Sequence, residues 1–192
     1  MIDAYRRAAP YVGLIGLAAA VAVRVEIAGP AGARSETAAV WFAVVLGAVA
    51  LTIYDPDVAS RLDIRAVAAG LLGAAVLCVP AGIRHVLTAG TLATTDGYPT
   101  WAVFVVVVAV AEEALLRGSL FRAVERRAGL VAAIGVTSIA FGLLHAPVYG
   151  WGVVPLDIAV GVWLGTLRAV TGTVTAPAVA HAVADLAGWW LR

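Results

Sequence analysis

The sequence predicts an all-α, polytopic transmembrane bundle of about seven helices with a cytoplasmic N-terminus. Three observations carry that prediction. Hydrophobic residues make up 62% of the 192-residue chain, and the mean hydropathy is +0.98. Charged residues are only 13%, against about 25% in soluble domains. Apolar runs close to the roughly 20 residues that cross a bilayer recur along the whole chain, so lipid has to be the solvent for much of its surface.

The runs fall at 10–28, 37–54, 66–83, 100–120, 130–147, 152–170 and 174–191. The first follows Arg6 and Arg7 and precedes Ala31-Gly32-Ala33. A cleaved signal peptide has this layout, but the apolar run is long for one, so an uncleaved first helix is expected. Arginine sets the orientation, because basic residues stay on the cytoplasmic side. With the N-terminus inside, the inner loops hold Arg6, Arg7, Arg61, Arg65, Arg122, Arg126, Arg127 and Arg168, with Arg117 at the edge. The outer side holds only Arg24, Arg34, Arg84 and Arg192. The segment 84–99 reads as the longest loop, with Arg84 and His85 in it. It divides one integral membrane domain, 1–192, into helices without motifs (1–99) and a second half (100–192) that carries the intramembrane polar groups.

The formal net charge is +1, which gives no electrostatic footprint for nucleic acid. The partner that composition implies is the lipid bilayer. The single cysteine, Cys78, excludes an intrachain disulfide. All 13 basic residues are arginine. With the abundance of Ala, Val and Gly, this looks like a GC-rich bacterial coding bias, and a bacterial plasma membrane is the expected location.

Glu112 and Glu113 follow the apolar run 103–111 directly. Carboxylates at membrane depth are expensive, about 3 kcal/mol each on insertion scales. The simple alternative is a helix end whose acids reach the headgroups. Spacing weakens it. One helix can run through 100–127, with its part from Arg117 to Arg127 projecting into the cytosol; Gly129 supplies a turn, and the next helix returns to His145. Glu112 and His145 are then nearly equidistant from the turn, which at about 1.5 Å per residue sets them at one depth.

His181 and Asp185 are four apart and share one face of the last helix. Glu113 and Arg117, also four apart, can pair and leave Glu112 for another task. Phe141, one turn before His145, can wall the site, although ordinary packing explains it equally well. Gly161 and Gly165 read as close helix packing. Two histidines with Glu112 and Asp185 are also a credible zinc set, although the His-Glu-x-x-His pattern is absent.

These residues resemble a known family. EEALLRG (112–118) is similar to its Glu-Glu-x-x-x-Arg motif, FGLLH (141–145) to its Phe-x-x-x-His, and HAVAD (181–185) to its His-x-x-x-Asn/Asp. The segment before the last motif, GVWLGTLRAVTGTVTAPAVAH, is similar as well. The family is CPBP, the CaaX proteases and bacteriocin-processing enzymes, also called Abi. The resemblance covers roughly residues 100–190. It implies peptide-bond hydrolysis within the membrane, on a peptide or membrane-protein substrate. Glu112 matches the glutamate that activates water, helped by His145. His181 and Asp185 match the pair around the oxyanion, with Glu113 and Arg117 in support. Many members carry asparagine at the position of Asp185. An ionised aspartate cannot donate to an oxyanion, so Asp185 is a protonated donor, an orienter of His181, or a metal ligand. The competing readings are a non-catalytic scaffold or bacteriocin-immunity protein with the same fold, and a proton-coupled carrier using the same groups as a relay.

Overall fold

The computed structural model describes residues 2–55, 63–88 and 94–191, and these contain no β-strand. They form six helical runs: α1 Ile2–Ala28, α2 Glu36–Thr52, α3 Ile64–Leu87, α4 Tyr98–Tyr149, α5 Val154–Thr171 and α6 Thr175–Gly188. Short 3-10 turns, Gly29–Arg34 and Trp151–Val153, lead into α2 and α5. Four stretches are long and apolar enough to cross a membrane: Arg7–Ala33, Ile64–Leu87, Tyr98–Tyr149 and Trp151–Thr171.

Six runs replace the seven expected, because the spans at 100–120 and 130–147 belong to the single run α4. Its path nevertheless reverses. Gly129 sits at φ 84° and ψ 174°, a backbone conformation that costs a side-chain-bearing residue heavily and glycine little. The run is therefore a hairpin of two arms, 98–128 and 130–149. Arg117 and Phe141 are each twelve residues from Gly129, and the Arg117 guanidinium lies 4.8 Å from the Phe141 ring centroid. The expected span 174–191 is also shorter: α6 has 14 residues, about 21 Å at 1.5 Å per residue, too short to cross a bilayer unaided. The expected loop from 84 begins late, since Arg84 and His85 occupy the last turn of α3. Residues 89–93 of that loop, and Arg61 and Arg192 of the orientation argument, lie outside the described residues.

Local chemistry sets several ends. Ser35 caps α2 by accepting from the Ala38 N–H at 3.2 Å, and Asp63 caps α3 by accepting from Arg65 N–H at 3.1 Å. One end of the bundle is basic: Arg127 donates to the Arg7 carbonyl at 2.7 Å, and Arg126 pairs with Asp55 just beyond α2. At the opposite end Tyr98, Trp101, Trp189 and Trp190 stack with centroids 4.9–5.9 Å apart, an aromatic cluster of the kind found at membrane interfaces. The core between them runs through Phe42, Leu46, Leu115, Leu116, Leu120, Phe121, Leu144 and Leu164.

Close approach of α5 to the second arm of α4 depends on a missing side chain. A Cβ at Gly161 would lie 2.8 Å from the Ser138 backbone, and one at Gly165 would lie 3.3 Å from Ile134. This is the small-residue packing that helices use in lipid.

Candidate active site

The first arm of α4 reaches Glu112 and Glu113 as regular helix, then widens into a π-helical stretch, Ala114–Leu120. Such widening sits frequently at functional sites. Here the surrounding side chains hold it. The Arg168 guanidinium, from α5, donates through Nε to the Arg117 carbonyl at 3.0 Å, and Ser119 Oγ donates to the Ala50 carbonyl at 2.8 Å.

Arg117 is fully buried. This corrects the expectation that the arginine-rich segment from Arg117 onward projects into the cytosol: Arg117 turns inward because its partners are there. Nη1 donates to Glu113 Oε1 at 2.8 Å, Nη2 donates to the Gly161 carbonyl at 3.1 Å, and Phe141 lies against the guanidinium face. The pairing of Glu113 with Arg117 is the one expected from their spacing. Glu113 Oε2 is left without a hydrogen-bond partner, which is uncommon for a buried oxygen.

His181 comes from the middle of α6. Its Nδ1 lies 3.0 Å from Glu113 Oε1, the oxygen that Arg117 already holds. A carboxylate held by a guanidinium accepts, so Nδ1 carries the proton. The other nitrogen, Nε2, is 3.4 Å from Asp185 Oδ2 and 3.9 Å from Glu112 Oε2. Glu112 is 2% exposed, whereas the Asp185 side chain is 44% exposed. Glu112 is therefore the buried member of the pair facing Nε2, and Asp185 the open one.

His145 lies on the second arm. Its Nδ1 is 3.1 Å from the Phe141 carbonyl and 3.3 Å from Asp157 Oδ2. The carbonyl can only accept, so Nδ1 again carries the proton and Nε2 keeps its lone pair. Phe141 stands edge-on between the histidines, 4.8 Å from His145 and 5.3 Å from His181. Glu112, Phe141, His145, His181 and Asp185 all line one cavity of about 930 Å³. It runs towards the aromatic end of the bundle, past Trp101, Trp189 and Ser35, and much of its wall is apolar (Phe104, Val105, Val108, Leu156 and Val160).

The direct partner of His145 is Asp157, which the sequence reading passed over. The signal was available: Asp157 is the one carboxylate in the apolar run 152–170. Arg168, assigned to an inner loop, and Arg24, assigned to the outer side, are instead buried, each 8% exposed. Among the described residues no three His, Cys, Asp or Glu side chains are arranged to hold a metal. The candidate zinc ligands Glu112, His145, His181 and Asp185 all line the cavity, and the Nδ1 contacts to the Phe141 carbonyl and Glu113 leave Nε2 of each histidine for a ligand or a proton.

The arrangement can do acid–base chemistry on a bound apolar chain: a buried carboxylate beside one imidazole, and a second imidazole with a free lone pair on the same cavity. No curated protein and no solved structure matches the chain. Residues 94–187 match the model of a family described as type II CAAX prenyl endopeptidase Rce1-like, and the match contains all three motifs. This segment, just under half of the chain, is similar to that family, and the likeness supports the general class of CAAX-protease-like membrane endopeptidases.

Proposed function

We propose that this chain is an intramembrane endopeptidase in which Glu112 activates the attacking water. The Glu112 carboxylate takes a proton as the water oxygen adds to the scissile carbonyl carbon, and His145 Nε2 accepts from the same water and orients it. The developing oxyanion receives a hydrogen bond from His181 Nε2–H. Collapse of the tetrahedral intermediate breaks the C–N bond, and the proton held by Glu112 passes to the leaving amine. Base and donor supply the two things amide hydrolysis lacks in water: a proton acceptor in place and a preorganised partner for the new charge.

Glu113 and Arg117 are positioning residues in this scheme. They hold the His181 ring through Nδ1–H, and the ring acts as an imidazolium whose Nε2–H faces the substrate. Asp185 accepts from His181 Nε2–H in the resting site and steers it, which answers the presence of aspartate where many relatives have asparagine. Asp157 does the corresponding work for His145.

The observation that carries this reading is the approach of the Glu112 carboxylate to the His181 ring, 3.9 Å apart and both buried, on one cavity with His145. The substrate class it supports is an extended, largely apolar peptide or a membrane-protein segment, since most of the wall is apolar. The basic end, with Arg7, Arg126 and Arg127, faces the cytoplasm, and the whole chain acts as one domain in a bacterial plasma membrane. The test is cleavage of a quenched apolar peptide library by the purified protein, wild type beside Glu112→Gln. Hydrolysis that depends on Glu112 supports the reading, and equal hydrolysis by both forms would overturn it.

A further inference from the structure

Arg24 is a charged group on this cavity that the proposed chemistry does not use. It lies near the C-terminal end of α1, in the half of the chain without motifs and outside the matched segment 94–187. Arginines near the ends of membrane helices ordinarily stretch towards water. Arg24 does the reverse. It is more than nine-tenths buried, its guanidinium sits 4.7 Å from the centroid of the Phe42 ring, and it lines the cavity beside Glu112 and His145.

Its surroundings do not neutralise it. Phe42 offers a π face and accepts no N–H in the plane of the fork. The Tyr149 hydroxyl lies within hydrogen-bond reach of Arg24 but brings no counter-charge. Among the described residues no carboxylate lies within ion-pair distance of Arg24, whereas Arg117, Arg122 and Arg126 each have one. A buried charge without a counter-charge is costly, and an anionic group on a bound ligand would supply the missing partner. The planar fork of a guanidinium matches a carboxylate with two parallel hydrogen bonds.

We propose that Arg24 is the receptor for a carboxylate on the substrate peptide. This rests on the peptidase reading and deepens it: Glu112 acts on the scissile bond while Arg24 sets how far that bond lies from a negative group. Two sources share this chemistry, the C-terminal carboxylate of the chain and the side chain of an internal acidic residue. Glu112 is also within electrostatic reach of Arg24. If that were the purpose of Arg24, its loss would slow every substrate alike.

The experiment uses the full chain in detergent and one fluorescent apolar decapeptide in three forms: free C-terminal acid, C-terminal amide, and amide with one internal glutamate. KM and kcat are measured for wild type, Arg24→Lys and Arg24→Gln. Binding is measured by polarisation on Glu112→Gln, with and without Arg24→Gln. The expected result is that one acidic form binds about tenfold or more tightly than the plain amide, with the difference in KM rather than kcat. That preference disappears in Arg24→Gln and partly survives in Arg24→Lys. Preference for the free acid identifies the chain terminus as the source, and preference for the internal glutamate identifies the side chain. Cleavage by wild type without preference among the three forms overturns the proposal and leaves the peptidase reading standing. A preference that persists in Arg24→Gln also overturns it. Arg24-dependent binding with no cleavage of any form supports the carboxylate receptor and overturns the peptidase reading. Should Arg24→Gln not fold, a preference reduced in Arg24→Lys relative to wild type supports the proposal, and an unchanged one overturns it.

Discussion

His181 Nδ1 lies 3.0 Å from Glu113 Oε1 across 68 residues of chain, and Arg117 Nη1 reaches the same oxygen at 2.8 Å. One carboxylate oxygen thus ties the last helix to the first arm of the hairpin and fixes which nitrogen of His181 faces Glu112 and Asp185. The charge arithmetic is local: a buried guanidinium neutralises Glu113, and Glu113 in turn holds the imidazole.

Removing the Glu113 charge tests that relay. In Glu113→Gln the amide no longer compensates Arg117, and its NH2 competes for the position that now accepts from His181. Peptide cleavage falls about 10²-fold through misplacement of the ring. Unfolding in detergent is eased by about 3–5 kcal/mol, because Arg117 is left buried and unpaired. A wild-type rate from this variant would sink the positioning role.

Arg117→Met strands Glu113 in the same way and costs a similar amount. The double variant Glu113→Gln/Arg117→Met leaves no buried charge, so its loss of stability is smaller than the sum of the two single losses. Thermal unfolding of the four proteins measures the coupling. Strict additivity would mean that the pair does not interact.

His145 should depend more on its own ring than on Asp157. Asp157→Asn keeps the Phe141 carbonyl as acceptor for Nδ1–H, and about a tenfold loss in kcat is expected with stability unchanged to within about 0.5 kcal/mol. His145→Gln removes the Nε2 acceptor that orients the water beside Glu112 and costs about 10²-fold or more. Equal effects from the two substitutions would contradict the assignment.

Packing makes a separate prediction. Gly161→Ala drives a methyl into the Ser138 backbone at 2.8 Å and disturbs the carbonyl that Arg117 uses, so a destabilisation of about 1–3 kcal/mol is expected. Gly135, in the second arm of α4, has open space around its Cβ position, and Gly135→Ala is neutral or stabilising by about 0.5–1 kcal/mol through helix propensity. Parallel melting curves in one detergent decide it.

Much of this site is legible in the sequence because it rests on helical periodicity. Glu113 and Arg117 pair at four residues' spacing, His181 and Asp185 share a face, and Gly129 sits where a positive φ is needed to turn the hairpin. What spacing cannot convey is side-chain reach between helices. Arg117 looks like the start of a cytosolic basic segment until the Gly161 carbonyl, delivered by α5, is seen to draw it inward. The π stretch Ala114–Leu120 depends on Arg168 and Ser119 partners remote in sequence. Asp157 stands in the first turn of α5, where an acid is already favoured by the helix dipole, so its link to His145 is masked by a local explanation. Arg24 reads as a charge at the outer side because its burial depends on Phe42, one helix away. The six runs differ from the seven expected because the two arms of the hairpin adjoin directly at Gly129, with no loop between them to separate the apolar stretches.

The most direct measurement is the rate at which purified protein in detergent cleaves a quenched apolar peptide, comparing wild type with Glu112→Gln, each first shown to be folded by its melting curve. The account predicts a fall of about 10²-fold or more in the variant with the fold retained. A folded Glu112→Gln protein that cleaves at the wild-type rate would remove Glu112 from the chemistry and contradict the central claim.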